Sequence, residues 1–145
     1  MSGKLIGIAK VEQLRAPLEE MSSADVSIEA GIAGDIRGRK RGRQITVIFR
    51  ESWDDACRQL GVTLSWTTRR ANLFVEGVPP PQRSGGQIRI GDVSLQIVVE
   101  TEPCDLMERS HAGLRAALTP NWRGGVSCNV LSGGRIRLGD PVSLD

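Results

Sequence analysis

The segment Ser84-Gly-Gly-Gln-Ile-Arg-Ile-Gly-Asp92 recurs later in the chain as Ser132-Gly-Gly-Arg-Ile-Arg-Leu-Gly-Asp140, with seven of nine positions identical. In each copy an alternating apolar segment starts after Gly-Gly and ends at Gly-Asp, a pattern typical of a strand that turns into a hairpin. Each copy also follows an apolar segment, at residues 72–76 and 126–131. Because closing a sheet removes its exposed edges, the repeat predicts a mainly antiparallel β-barrel with pseudo-symmetric hairpins.

Further strands are predicted wherever β-branched and apolar residues cluster between turn signals. The segment Gln44-Ile-Thr-Val-Ile-Phe49 is apolar and β-branched almost throughout and gives the strongest of these signals. Glycines and an aspartate at 31–35 predict a turn. The remaining predicted strands lie at residues 5–11, around 26–28, and at 88–90, 93–99, 135–138 and 142–144.

Two segments predict helices. Residues 52–60 carry Ser52 as a candidate N-cap, and Gly61 ends the segment. The apolar face of that helix contains Trp53, Ala56, Cys57 and Leu60. Residues 106–118 are predicted to be mostly helical, with Pro120 just past the end. The fold class is therefore mainly β, a β-rich α+β barrel with two or three short helices.

Length and composition restrict the class of protein. The 145 residues fit one domain spanning 1–145, and 19 basic against 17 acidic side chains give a formal charge of +2. No apolar run approaches the roughly 20 residues of a membrane span, and no secretory signal is recognisable, so we expect a cytoplasmic protein without membrane contact. Tyrosine is absent and aromatic residues make up 3%, which leaves little for base stacking and makes nucleic acid an unfavoured partner.

The three cysteines are widely separated, at 57, 104 and 128. An odd number without a C-x-x-C pair argues against a disulfide framework or a zinc site. Cys104 follows Pro103 at the end of an apolar strand, so its thiol is either an exposed nucleophile and soft-metal ligand or a small apolar filler. Cys57 and Cys128 fall on apolar faces and are predicted to pack in the core. His111, the only histidine, approaches Cys104 only if the chain bends between them.

Two polar patterns are compatible with anion binding. Arg70 and Asn72 bracket Ala71, and strand alternation places both side chains on one face, either as a surface pair or as a holder for a phosphorylated heterocycle. The turn Arg123-Gly124-Gly125 offers backbone N–H groups to an anion.

Residues 37–43 carry five basic side chains and two glycines, which predicts a mobile loop. This basic loop is a solvated surface, a phosphate clamp for a small ligand, or a nucleic-acid patch. The common glycine-rich phosphate-binding motifs are absent from the sequence.

These features occur in a recognisable order, and together they resemble the MOSC domain, the C-terminal domain of molybdenum-cofactor sulfurases. The resemblance runs from about Ile6 to the C-terminus. Its elements are Gly34-Asp35, the strand Arg43-Gln-Ile-Thr-Val-Ile48, Arg70-x-Asn72, the Gly-Asp hairpin, Pro103-Cys104, Arg123-Gly-Gly-Val126 and the second Gly-Asp turn.

The resemblance implies a strongly bent β-barrel and a role in molybdenum-cofactor or sulfur chemistry. Cys104 matches the family's cysteine, implying either a persulfide carrier or a molybdenum ligand. Arg70 and Asn72 match the family's Arg-x-Asn pair, and with Arg43, Arg123, Gly124 and Gly125 they are the expected cofactor-binding residues. Sulfur transfer and molybdenum-dependent reduction of N-hydroxylated compounds are both compatible with the sequence, so whether the chain is an enzyme stays open.

We expect a small stand-alone member without the cysteine-desulfurase domain. Pyridoxal phosphate is therefore not expected on this chain, and a cysteine desulfurase or a molybdoenzyme is the expected partner. The alternative hypothesis is a non-enzymatic barrel that binds RNA or an anionic partner through the basic loop, with no dependence on Cys104.

Overall fold

The structure is a computed structural model that describes residues 3–145. Its strands are β1 (Gly3–Lys10), β2 (Glu19–Glu20), β3 (Ser23–Ser27), β4 (Gly31–Ile32), β5 (Ile45–Phe49), β6 (Leu73–Glu76), β7 (Gln87–Ile90), β8 (Val93–Glu100), β9 (Val126–Ser132), β10 (Gly134–Arg137) and β11 (Pro141–Leu144). The helices are α1 (Arg50–Leu60), α2 (Asp105–Ser110) and α3 (Leu114–Leu118), with short 3-10 segments at Trp66–Arg69 and Pro120–Trp122.

Seven of these strands close into a barrel in the order β11-β7-β8-β9-β5-β6-β1. The ring closes where β1 pairs with β11, with Gly3 opposite Val142. The neighbours are antiparallel except β5 and β6, which run parallel with Val47 opposite Leu73. Strands β10, β3 and β4 form a separate small sheet. The predicted mainly antiparallel barrel with short helices is confirmed.

The two copies of the repeat differ in their pairing. The first copy forms the predicted hairpin, with Ile90 of β7 opposite Val93 of β8. In the second copy β10 pairs with β3, while β11 pairs with β7, so the prediction of a second hairpin was wrong. Hydrogen bonds between Leu5 and the turn at Gly139 and Asp140 hold that turn against β1. This attachment directs β11 into the barrel and away from β10.

Helix α1 begins at Arg50, immediately after β5, and its N-cap Phe49 makes no side-chain capping bond. Ser52 lies buried inside the first turn, so its predicted role as N-cap was wrong. Gly61 ends the helix in the left-handed conformation at φ 69°, as predicted.

The segment 106–118, predicted to be mostly helical, contains α2 and α3, which are separated at residues 111–113. Gly113 has φ 87°, and its N–H donates to the Glu108 carboxylate at 2.9 Å. Because a left-handed residue cannot continue a right-handed helix, the chain changes direction here and starts α3.

Apolar side chains form two packed groups. One fills the barrel and includes Cys128, which is fully buried. The other lies between α1, α3 and the outer face of the sheet and includes Cys57, 8% exposed. The predicted core packing of both cysteines is confirmed. Within residues 3–145, no residue of β8 belongs to this helical layer, and the chain that follows β8 reaches the exposed Cys104 at the barrel surface.

Candidate functional site

Cys104 lies at the start of α2, four residues after the end of β8, and its side chain is exposed. Cys104 lines a cavity of about 460 Å³, and residues 100–103, which connect β8 to Cys104, line the same cavity. Of the two alternatives that the sequence left open for Cys104, the exposed thiol is therefore confirmed and the buried apolar filler is excluded.

Distant parts of the chain bring arginines to the Cys104 cavity. Arg37 and Arg43 come from the two ends of the basic loop, and Arg69 and Arg70 come from the segment before β6. No salt bridge to Arg37 or Arg43 is found among residues 3–145. Asp35 fixes the start of the loop, because its carboxylate accepts from the backbone N–H groups of Val11 at 3.0 Å and Arg37 at 3.2 Å.

Arg69 is the functional candidate that sequence reasoning missed. Its side chain is 8% exposed, and it donates from Nε to the Gly124 carbonyl at 3.0 Å and from Nη2 to the Thr101 carbonyl at 2.8 Å. Burial lowers its pKa to about 10, while the nearby charge of Cys104 acts in the opposite direction. The sequence does contain the dipeptide Arg69-Arg70, but the Arg-x-Asn pattern selects only Arg70 as a candidate site residue.

Arg70 and Asn72 have different surroundings. Arg70 is in the left-handed conformation at φ 62°, outside β6, so strand alternation does not relate the two side chains. Arg70 lines the Cys104 cavity and donates from Nη2 to the Ala16 carbonyl at 2.6 Å. Asn72 is 5% exposed; its amide oxygen accepts from Thr46 and its Nδ2 donates to the Ala9 carbonyl at 3.2 Å.

The turn Arg123-Gly124-Gly125 touches the site through its backbone. Gly124 accepts the Arg69 bond, and a Cβ there would come within 2.5 Å of the Thr101 carbonyl oxygen. The Arg123 guanidinium is directed to Gln59 and to the Ala117 carbonyl, at 2.7 and 2.9 Å. Arg123 is therefore absent from the residues that line the Cys104 cavity.

Two further cavities adjoin the Cys104 cavity and share residues with it. One, of about 540 Å³, shares Arg37, Arg70 and Leu106 and adds Arg15 and Arg109. The other, of about 330 Å³, shares Arg37, Arg43 and Thr101 and adds Lys40. Leu14, 73% exposed, lines both of them. We call the three together the cationic cleft.

Acidic groups are few in the cleft. Glu100 and Glu102 precede Cys104 and line its cavity. Burial raises the pKa of Glu100, the charge of Glu102 raises it further, and Arg69 opposes both. His111 ends α2 and does not line the cavity that contains Cys104, so the structure does not assemble a Cys–His pair. Within residues 3–145, no group of three His, Cys, Asp or Glu side chains is arranged to hold a metal ion.

Comparison with known proteins agrees with this architecture. The family model of the MOSC domain matches residues 33–143, and the chain belongs to the MOSC domain family. The MOSC domain family is associated with the molybdenum cofactor. No curated protein matches the sequence significantly.

Solved structures share the fold at low sequence identity. The YuaD protein of Bacillus subtilis is 20% identical with a TM-score of 0.81, and the match covers 99% of this chain and 96% of that one. YiiM of Geobacillus stearothermophilus is 17% identical at a TM-score of 0.70, over 99% of this chain and 73% of that one. YiiM of Escherichia coli is 16% identical at a TM-score of 0.70, over 100% and 70%. Across residues 3–145, none of the helices has the length and apolar character needed to cross a bilayer.

Proposed function

We propose that this chain handles sulfur or the molybdenum cofactor through Cys104, either as a persulfide carrier or as a thiolate ligand of molybdenum. The observation that carries the proposal is the position of an exposed thiol in a cavity lined by Arg37, Arg43, Arg69 and Arg70. Thiolates are the soft ligands that carry sulfane sulfur and bind soft or thiophilic metals.

The residues present fit the molybdenum cofactor in their chemistry. Arg37, Arg43 and Arg70 offer planar guanidinium groups, which bind phosphate through paired hydrogen bonds. Cys104 supplies the only sulfur atom from a cysteine in that cavity. When bound, the cofactor would supply a molybdenum centre for sulfur exchange or for reduction of a substrate.

The chain's own residues give the thiol a defined position. Arg69 holds the carbonyl of Thr101 and thereby fixes the segment that leads from β8 to Cys104. Asn72 binds Thr46 and Ala9, so we propose that it supports the wall of the cleft while Arg70 faces the ligand. A Cβ on Gly124 or Gly125 would lie within 2.5 Å of the carbonyl oxygen of Thr101 or Val47, respectively, so close backbone packing requires glycine at both positions.

The test is a paired analysis of protein purified from cells with and without the ability to make the molybdenum cofactor. Bound molybdenum, pterin and cyanide-releasable sulfur are measured in the wild type, in Cys104→Ser and in Cys57→Ala. Cys57 is the matched control because it is a cysteine in the helical layer, away from the cleft.

Molybdenum and pterin that depend on Cys104 identify a ligand, whereas releasable sulfur without molybdenum identifies a carrier. If the wild type holds no more of any of these than Cys104→Ser, the proposal is wrong. The alternative, binding of RNA or an anionic partner through the basic loop, instead predicts binding that is lost on neutralising Arg39, Lys40 and Arg41 and unchanged in Cys104→Ser.

A further inference from the structure

The charge around Cys104 indicates what kind of molecule reaches it. Five arginines and two glutamates line the Cys104 cavity, which leaves an excess of positive charge in a space of about 460 Å³. One of the five, Arg115, is neutralised by an ion pair with Asp105. The others face the cavity without a carboxylate partner among residues 3–145.

Arg69 is the most specific part of this arrangement. A buried guanidinium normally has an anionic partner, because removing a charge from water is costly. Arg69 has only two carbonyl oxygens, bound through Nε and Nη2. Within residues 3–145 Nη1 has no hydrogen-bond partner, yet no fully buried side-chain nitrogen or oxygen is unsatisfied, so Nη1 keeps accessible surface. Arg69 lines the Cys104 cavity, and we infer that Nη1 is the part of its guanidinium available to an anion there.

Arg37 and Arg43 complete an anion-binding arrangement around the thiol. Both line the cavity from the two ends of the basic loop, and their guanidinium groups are free of carboxylates in the described part of the chain. Guanidinium groups bind oxyanions through charge-assisted hydrogen bonds, which are stronger than neutral ones. A small oxyanion therefore fits beside Cys104 better than a neutral molecule.

We propose that Cys104 takes its sulfur directly from thiosulfate, so that the chain is a thiosulfate sulfurtransferase; this inference rests on the proposed role of Cys104 as a persulfide carrier. The Cys104 thiolate attacks the outer sulfur of thiosulfate, a new S–S bond forms, and the S–S bond of thiosulfate breaks. Sulfite leaves with the bonding electron pair. A nucleophilic acceptor, such as a thiolate or the cyanide of the assay, then attacks the outer sulfur. The S–S bond breaks and Cys104 leaves as the thiolate with its electron pair, so no added oxidant or reductant is consumed.

The arginines have a defined part in this step. Negative charge moves from the attacking thiolate to the departing sulfite, and the guanidinium groups of Arg37, Arg43 and Arg69 lie along the cavity that receives it. Fixed positive groups stabilise developing anionic charge without reorganising, which is the general basis of electrostatic catalysis.

The experiment measures thiocyanate formed from thiosulfate and cyanide. The wild type should turn over at least about tenfold faster than Cys104→Ser, which lacks the nucleophile. Arg37→Gln and Arg43→Gln should each lower kcat/KM by about fivefold, as expected for loss of one charge contact. Arg39→Gln is the matched control, because Arg39 belongs to the same loop but does not line the cleft, and it should match the wild type.

A second measurement separates this inference from the proposed function. The protein is incubated with inorganic polysulfide, and cyanide-releasable sulfur on Cys104 is measured by mass spectrometry. If polysulfide loads Cys104 but thiosulfate does not, the inference is overturned while the carrier function stands. If neither loads Cys104, both are overturned. Equal kcat/KM in Arg37→Gln, Arg43→Gln and the wild type would also overturn anion recognition by the cleft.

Discussion

The Nη2 group of Arg69 donates a 2.8 Å hydrogen bond to the carbonyl oxygen of Thr101, three residues before Cys104. The same guanidinium reaches the Gly124 carbonyl at 3.0 Å. One buried cation thus joins the segment before β6, the end of β8 and the turn before β9. The position of the segment that carries Cys104 depends on this junction, although the three joined segments are far apart in the sequence.

We expect Arg69→Lys to lower the free energy of unfolding by about 1–3 kcal/mol, because an ammonium cannot serve both carbonyls with fixed fork geometry. Urea unfolding measures the change. Arg70→Lys is the control, since Arg70 is less buried and bonds one carbonyl, and it should cost less than about 1 kcal/mol. If Arg69→Lys and Arg70→Lys had the same free energy of unfolding, the two carbonyl bonds of Arg69 would not hold these segments together as we infer.

Native protein should contain one rapidly reacting thiol. Cys104 is exposed, whereas Cys57 and Cys128 are buried, and burial raises the pKa of Cys128 to about 12. Titration with a chromogenic disulfide should therefore count one thiol before unfolding and three after it. A fast thiol that persists in Cys104→Ser would contradict this assignment.

Because of Cys128, the free energy of unfolding should depend on pH above the ordinary pKa of a cysteine thiol. The unfolded thiol ionises near 9 and the native one near 12, so the native state binds the extra proton between these values. Stability is fully present below pH 9 and is lost as pH rises toward 12. By pH 10 the loss should be roughly 1 kcal/mol.

Urea unfolding of Cys128→Ala between pH 8 and pH 10 isolates that contribution, because the variant lacks the thiol but keeps the other titrating groups. The stability difference between the wild type and the variant should shrink as pH rises. A difference that stays constant over this range would show that Cys128 does not titrate as expected.

Asn72→Ala should destabilise the protein by about 2 kcal/mol or more, because the Thr46 N–H and the Ala9 carbonyl lose a buried partner. A double-mutant cycle with Thr46→Val measures the coupling, since the Thr46 hydroxyl donates to Asn72 at 3.2 Å. Additive effects of the two substitutions would contradict a structural role for this contact.

Acidification should increase the preference of the cleft for anions. Burial raises the pKa of Glu100, so this carboxylate loses its charge at a higher pH than an ordinary glutamate. The ratio of Cys104 alkylation rates by iodoacetate and iodoacetamide should rise as pH falls toward that pKa. The ratio cancels the thiolate fraction, because both reagents attack the same thiolate.

In Glu100→Gln the iodoacetate to iodoacetamide ratio should start higher and change less with pH. Glu29→Gln removes an exposed carboxylate outside the cleft and is the control. If Glu100→Gln and Glu29→Gln give the same ratio as the wild type, Glu100 does not set the charge of the cavity.

The sequence by itself determined the barrel class and the first hairpin and singled out Cys104, because these depend on local patterns; the structure decided that Cys104 is exposed. Strand alternation, the Gly-Asp turn at 91–92 and the position of Cys104 after an apolar strand are readable within a few residues. The order of its motifs also indicated the MOSC domain family, to which the chain belongs.

Only the tertiary structure decided which residues meet at Cys104. Arg37 and Arg43 come from the two ends of the basic loop and Arg69 from a separate segment, and charge or spacing along the chain does not say which arginines converge. The partner of β11 and the interior position of Asn72 were likewise set by long-range contacts, the first by the turn bound to Leu5 and the second by Thr46 and Ala9. Such contacts depend on how the sheet closes, and local sequence carries no record of that closure.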